Sequence, residues 1–556
     1  MQFLLHTILA TCLAPAPRDF CSPEEPFDPH ESTIASVHEA LFTGVATCRD
    51  IVSSFISRIE EYNPTINAII SLNPAALDVA DEIDYAMAAE TNSRYPLLCV
   101  PVLLKDNYDA AGMNTTSGCL ALRGTRPAND APTVTALRNA GAIILGKTNL
   151  HELALEGISV SSLGGQTLNP YDLTRTPGGS SGGTGAAIAA SFAVVGTGTD
   201  TVNSLRSPAS ANNLFSIRPT RGLISRSGVI PVSYAQDSVG PIARSIDDVA
   251  SALTVMAGVG YDKDDNTTAL IPASSVGVDY SLDLHGGSLR GVRLGVLEGF
   301  FNRTDHPETS PVNDAMDGMI AVLQAAGVEI IYINDNVYNA STIAAELDVQ
   351  KYELRESVDS YLQSGKFDSS STHPYTLSEI YNTSNFFVLP SGYSTVRAAL
   401  TSSTSNATYT TAQEGIKHLR HTLHQTFKTN SLDAIIYPEQ KNLVVKLGSP
   451  SQSGRNGILA ALTGSPVVTI PVGFSPKTED NAPVGVPIGM EILGVPWSEK
   501  RLLNLAALIS DVAGDVRQAP VMNWARKRRE AVYKSVPTVV PNRENIRDEY
   551  PIGRLS

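Results

Sequence analysis

The chain has 556 residues, 42% of them apolar and 17% charged, and 41 basic against 56 acidic side chains leave a formal charge of -15. This apolar content excludes a disordered chain, which lacks the surface to build a core. A sequence pI near 5.2 sets the mean field against phosphate backbones and anionic lipid, so a nucleic-acid or membrane-surface role would need a local basic patch. The one dense basic run, Arg526-Lys527-Arg528-Arg529, is followed at once by Glu530 and reads as the solvated end of a helix.

At the N-terminus, Phe3 to Ala14 (FLLHTILATCLA) has the length of a secretory apolar region and runs into Ala14-Pro15-Ala16-Pro17, although no Lys or Arg precedes it. Residues 1–17 are therefore expected to be a signal peptide and the mature chain to be secreted. Its removal would take Cys12 and leave Cys21, Cys48, Cys99 and Cys119, an even set that permits two disulfides of unspecified pairing and leads us to expect no free thiol. Sequons at Asn114, Asn266, Asn302, Asn339, Asn382 and Asn406 are as frequent as composition gives by chance and decide nothing. No later apolar stretch reaches the length of a membrane span uninterrupted.

Thr47 can cap a helix in which Ile51, Phe55 and Ile59 recur at spacing four, ending at Asn63-Pro64. Leu97 to Leu104 (LLCVPVLL) and Ala142 to Leu145 (AIIL) are continuous apolar runs of strand length, with a helical stretch from Thr133 to Asn139 before the second. Such strands are buried on both faces, which predicts an α/β protein: a mixed central sheet covered by helices. The rhythm repeats in Val292–Leu297, the helix-like Val312–Ala326 and Val328–Ile333, and again in Ala434–Tyr437, Val467–Pro471, Ile488–Leu493 and a closing helix near Ser498. Residues 18–556 read as one large domain, with a variable, partly helical elaboration at about 260–430.

Three motif matches fail on chemistry. Gly141 to Thr148 (GAIILGKT) fits a phosphate-loop pattern, but its middle residues Ala-Ile-Ile-Leu are themselves a buried strand and not an open loop. His418, His421 and His424 are spaced by three, which carries the third about 240° round a helix from the first, so a solvated amphipathic helix is the better reading than a metal site. Gly179 to Gly183 fits the G-x-S-x-G elbow, which would need Asp and His partners later in the chain.

The informative stretch runs from Thr176 to Arg218. Glycines bracket Ser180 and Ser181, a helix of small residues from Thr184 to Ser191 allows close packing, and a second glycine-rich turn delivers Ser204. GGSSGG followed by GTDTxxSxRxPA resembles the amidase signature family, and so do VPVLLKDNYDAAG, AGAIILGKTNLHELA, the segment from Ser216 to Leu253, TGSPVVTIPVGF and GVPIGMEILGVPWSEKRLLNLA. The resemblance spans about 36–512 and is weakest between 260 and 430.

It implies a Ser-Ser-Lys triad. Lys105 falls on the family's catalytic lysine, Ser180 on the bridging serine, preceded by a cis peptide that would be Gly179-Ser180, and Ser204 on the nucleophile. The amides of Thr201, Val202, Asn203 and Ser204 correspond to the oxyanion loop. Burial drives a lysine toward its neutral amine, so Lys105 can draw a proton from Ser180 and Ser180 from Ser204, which then attacks a carbonyl. The family implies hydrolysis of a small-molecule amide through an acyl-serine, with no metal and no organic cofactor. Acyl transfer or esterolysis would use the same intermediate, and the remaining alternatives are a non-catalytic binding protein or one subunit of an amidotransferase. Ser181 reads as a hydrogen-bonding neighbour, and Asp200 and Arg206 as a pair holding the turn. Where the family usually has Gly-Gly before the nucleophile, this chain has Val202-Asn203, whose two side chains are expected to narrow the acyl side.

Overall fold

The computed structural model describes residues 27–89, 95–478, 481–514, 516–523 and 533–555; the expected leader, Cys12, Cys21 and the basic run at 526–529 lie outside the described residues. In chain order the strands are β1 (Ile69–Leu72), β2 (Pro101–Lys105), β3 (Ile143–Thr148), β4 (Val160–Ser161), β5 (Gly165–Gln166), β6 (Val195–Asp200), β7 (Phe215–Arg218), β8 (Ser238–Ala243), β9 (Arg293–Leu297), β10 (Glu329–Ile333), β11 (Ala434–Pro438), β12 (Val467–Phe474) and β13 (Pro487–Leu493). Eleven of them form one mixed sheet in the order β1-β3-β2-β6-β8-β7-β12-β13-β11-β9-β10, and β4 pairs with β5 alone. Parallel pairs occur at β3-β2-β6 and at β11-β9-β10, while the middle of the sheet is antiparallel. Every residue of β2 and β3 is buried, as their apolar runs require of strands covered by helices on both faces, and so is every residue of the glycine- and threonine-rich β6.

The expected helix after Thr47 spans Cys48–Ile66, opened by a capping box in which Thr47 and Asp50 exchange side-chain and backbone hydrogen bonds. It passes through Pro64 and stops at Asn67 in the left-handed region, where the Asn63 side chain takes over the amides of Ala68 and Ile69. The run from Leu97 to Leu104 is strand only from Pro101. Leu97 to Val100 form a turn closed by the Val100 amide on the Leu97 carbonyl, with Cys99 at φ 59° and its sulfur bonded to Cys48. Cys119 is a buried free thiol, contrary to the expectation that none would remain; it sits among Leu122, Leu153 and Phe386.

The phosphate-loop match is strand β3, and Lys147 is buried, donating to the carbonyls of Tyr108 (2.7 Å) and Asn114 (3.0 Å) and facing Asp106 at 3.5 Å. His418, His421 and His424 are exposed on helix Ala407–Asn430, whose Ile416, Leu419, Leu423 and Phe427 are buried. Within 260–430, β9 and β10 extend the central sheet, and helices Gln350–Leu362, Leu377–Tyr381 and Tyr393–Thr401 share an apolar cluster with Leu122, Leu153 and Ile230. Among the described residues no helix is long and apolar enough to cross a membrane.

Candidate active site

β2 and β6 lie side by side and parallel, which brings the Lys105 end of one next to the Asp200 end of the other. The helix Gly182–Ala189 packs against them through residues with little or no side chain. A Cβ on Gly183 would stand 2.1 Å from the Asn149 carbonyl oxygen, so only glycine admits this approach. The loop ahead of that helix carries Ser180 and Ser181 behind a cis Gly179–Ser180 peptide. The turn after β6 carries residues 201–205 into helix Arg206–Ala211.

Lys105 is fully buried, and its Nζ donates to Ser180 Oγ and to Thr199 Oγ1, both at 2.7 Å. Burial takes the ammonium from its ordinary range down to about 7, against the pull of the Asp200 and Asp237 carboxylates. A large share of this lysine is thus a neutral amine at physiological pH. Ser204 opens onto a cavity of about 620 Å³ that is also lined by Thr201, Val202, His151, Gln452 and Arg455. Among the described residues no hydrogen bond joins Ser180 Oγ to Ser204 Oγ, and the Val202, Asn203 and Ser204 amides donate to no protein acceptor. Long or open links of this kind are common before substrate is bound. A second cavity of about 700 Å³ reaches Thr199 and Thr201 from the other side, between Asp109, Asp237, Tyr361 and Tyr409.

The turn is held by buried charge. Asp200 accepts from Arg206 Nε at 3.0 Å and from Arg218 Nη1 at 2.6 Å, and also from the Leu205 amide. Arg206 Nη1 donates to both carboxylate oxygens of Glu491, at 2.7 and 2.8 Å, and Nη2 donates to the carbonyls of Val202 and Gly457. The Asp200–Arg206 pairing expected from sequence is therefore one link of a larger network. Ser181 Oγ bridges the amide and carbonyl of Thr199 at 3.3 Å, a connection from the loop to strand β6.

Three arrangements differ from or exceed what the sequence predicts. Val202 and Asn203 were both expected to crowd the acyl side, but only Val202 lines the cavity. Asn203 is buried and turned away from it, donating from Nδ2 to Glu439 Oε1 at 2.8 Å. His151 was not singled out by any motif: its amide donates to the Ser180 carbonyl at 3.0 Å, and its ring lines the cavity with Nδ1 buried and unpartnered. Burial, helped by the positive charges of Arg455 and Lys105, takes this imidazole down to about 3, so it is neutral. Thr199 also escaped notice, although its place in GTGTD, at the end of an all-buried strand, was a usable signal.

A family model described as Amidase matches residues 50–503. The chain is 31% identical to a chloroplastic/mitochondrial glutamyl-tRNA(Gln) amidotransferase subunit of Zea mays, over 92% of each sequence. It is 30% identical to the corresponding glutamyl-tRNA(Gln) amidotransferase subunit of Halorhodospira halophila, over 88% of this chain and 99% of that one. Among solved structures it resembles the peptide amidase of Stenotrophomonas maltophilia, with a TM-score of 0.76 and 30% identity over 90% of this chain and 100% of that one. The chain belongs to the amidase family.

Proposed function

We propose that the protein hydrolyses a carboxylic amide through an acyl-serine, with Ser204 as nucleophile, Ser180 as proton relay and Lys105 as base. The observation that carries this reading is the buried Lys105, held at 2.7 Å from Ser180 Oγ beside a pocket that opens at Ser204, with its ammonium brought down to about 7 by burial. Lys105 Nζ accepts the Ser180 proton as Ser180 accepts that of Ser204, and Ser204 Oγ adds to the carbonyl carbon. The oxyanion is met by the free amides of the 201–204 turn, where one donor is typically worth about 3 to 4 kcal/mol. Collapse breaks the C–N bond, the relayed proton leaves with the amine, and water adds to the acyl-serine and releases the acid. The cavity of about 620 Å³ suits a small-molecule acyl group.

Acyl transfer to another nucleophile would use the same intermediate, and the names of the Zea mays and Halorhodospira halophila relatives keep an amidotransferase role in view. Support for hydrolysis comes from the likeness to a peptide amidase, and the Cys48–Cys99 disulfide supports an oxidising compartment, in keeping with secretion. The test is labelling by a fluorophosphonate with mass-spectrometric mapping, together with release of acid and amine from a panel of amides. Ser204→Ala should lose the label and turnover, by a factor on the order of 10⁶. Turnover retained in that variant would overturn the mechanism.

A further inference from the structure

Glu439 follows β11 and stands 236 residues from Asn203 in sequence, yet its Oε1 accepts the Asn203 side-chain amide at 2.8 Å in a fully buried setting. Its other oxygen, Oε2, is buried without a partner. The charges facing it are Glu491 on β13, Arg206 on the helix after the turn and Asp200 at the end of β6, with the Tyr437 ring on its own strand. Arg206 spends its fork on Glu491 and Asp200 and makes no hydrogen bond to Glu439. The segment that follows Glu439 presses on the same turn: the Asn456 amide donates to the Glu439 carbonyl at 3.2 Å, and a Cβ on Gly457 would stand 2.4 Å from the Asn203 Cβ.

We propose that Asn203 and Glu439 form a latch that positions the oxyanion turn, so that Asn203 acts on the reaction through its tether to Glu439 and not by narrowing the acyl pocket. This rests on the reading of Ser204 as nucleophile. The turn has two anchors of different kinds. Arg206 grips the Val202 carbonyl from the helix side, and Glu439 grips the Asn203 side chain from the far half of the sheet. Between these anchors lie the amides that donate to no protein group. A residue without a side chain at 203 would leave the second anchor empty, and a turn free to shift by about 1 Å loses up to about 100-fold in rate. Burial and the neighbouring Glu491 carboxylate raise the Glu439 carboxyl above its ordinary range. Glutamine has the same shape and keeps an acceptor oxygen for the Asn203 amide at this position.

The test compares Asn203→Ala, Glu439→Leu, Glu439→Gln and the Asn203→Ala/Glu439→Leu double variant, with rates normalised to sites titrated by fluorophosphonate. The latch predicts a fall in kcat of roughly 10- to 100-fold for Asn203→Ala and Glu439→Leu, with KM moved by less than about threefold. It predicts recovery to within about threefold in Glu439→Gln, and a double variant no worse than the poorer single one. Effects that multiply in the double variant, or kcat per titrated site unchanged in Asn203→Ala, would overturn it. If Glu439→Leu does not fold, Asn203→Ala and Glu439→Gln decide alone. Activity surviving in Ser204→Ala sinks the functional reading itself, whereas an inactive Ser204→Ala beside a normal Asn203→Ala sinks only the latch.

Discussion

Lys105 donates hydrogen bonds to two hydroxyls, and in the proposed mechanism it is also the base that must be neutral to act, so the two demands give its pH behaviour a definite sign. With the amine near 7, acylation should decline about tenfold per pH unit below that value and level off above it, which a single-turnover pH profile measures; a flat profile down to pH 4 would exclude Lys105 as base. Thr199→Val removes an acceptor that favours the ammonium, so the limb should move to lower pH while the rate falls by roughly tenfold as Lys105 loses its orientation. Val202 is the member of the Val202-Asn203 pair that meets the cavity, so Val202→Gly alone should broaden acyl acceptance in kcat/KM over an acyl-length series. An unchanged rank order there would mean that this side chain does not shape the pocket. The meeting of Lys105 with Ser180 was legible because each lies in a short motif whose neighbours are fixed by backbone requirements. Glu439 and His151 were not, since their roles arise from contacts between distant segments that leave no local pattern.

The helix Gly182–Ala189 shows what the glycines of the signature do at the level of an element. Its first turn sits on the backbone of Asn149, whose side chain is itself committed to the Gly165 carbonyl and to Thr167. Gly183→Ala cannot be relieved by a rotamer change, because the atom it meets is a carbonyl oxygen. We expect a loss of about 3 kcal/mol or more, seen as a lowered denaturation midpoint, together with lost activity in the folded fraction as Ser180 is displaced. A variant as stable and active as the parent would mean that the helix shifts freely. The strands were legible from continuous apolar runs and their ends were not: Leu97 to Val100 are as apolar and as buried as the strand that follows, yet they form a turn closed by the Val100 amide on the Leu97 carbonyl, with Cys99 bonded to Cys48.

Across the whole molecule, the parallel segments at either side of the sheet were visible as β-α-β rhythm, but the antiparallel middle was not, because strand direction is set by crossovers that the apolar pattern does not encode. The Cys48–Cys99 bond ties the first long helix to the segment that leads into β2 and closes a loop with a sequence separation of 51. On chain-entropy grounds a closed loop of this size is worth about 4 kcal/mol to the folded state. Cys48→Ser with Cys99→Ser should therefore lower Tm measurably, and dithiothreitol should lower the Tm of the parent to the same level while leaving the double variant unmoved. The acid limb of acylation should not shift, since neither sulfur contacts Lys105. The same bond tests the compartment: protein from its native source, denatured without reductant and alkylated, should carry label on Cys119 and none on Cys48 or Cys99. Label on all three would place the chain where thiols stay reduced and would remove the disulfide's support for secretion.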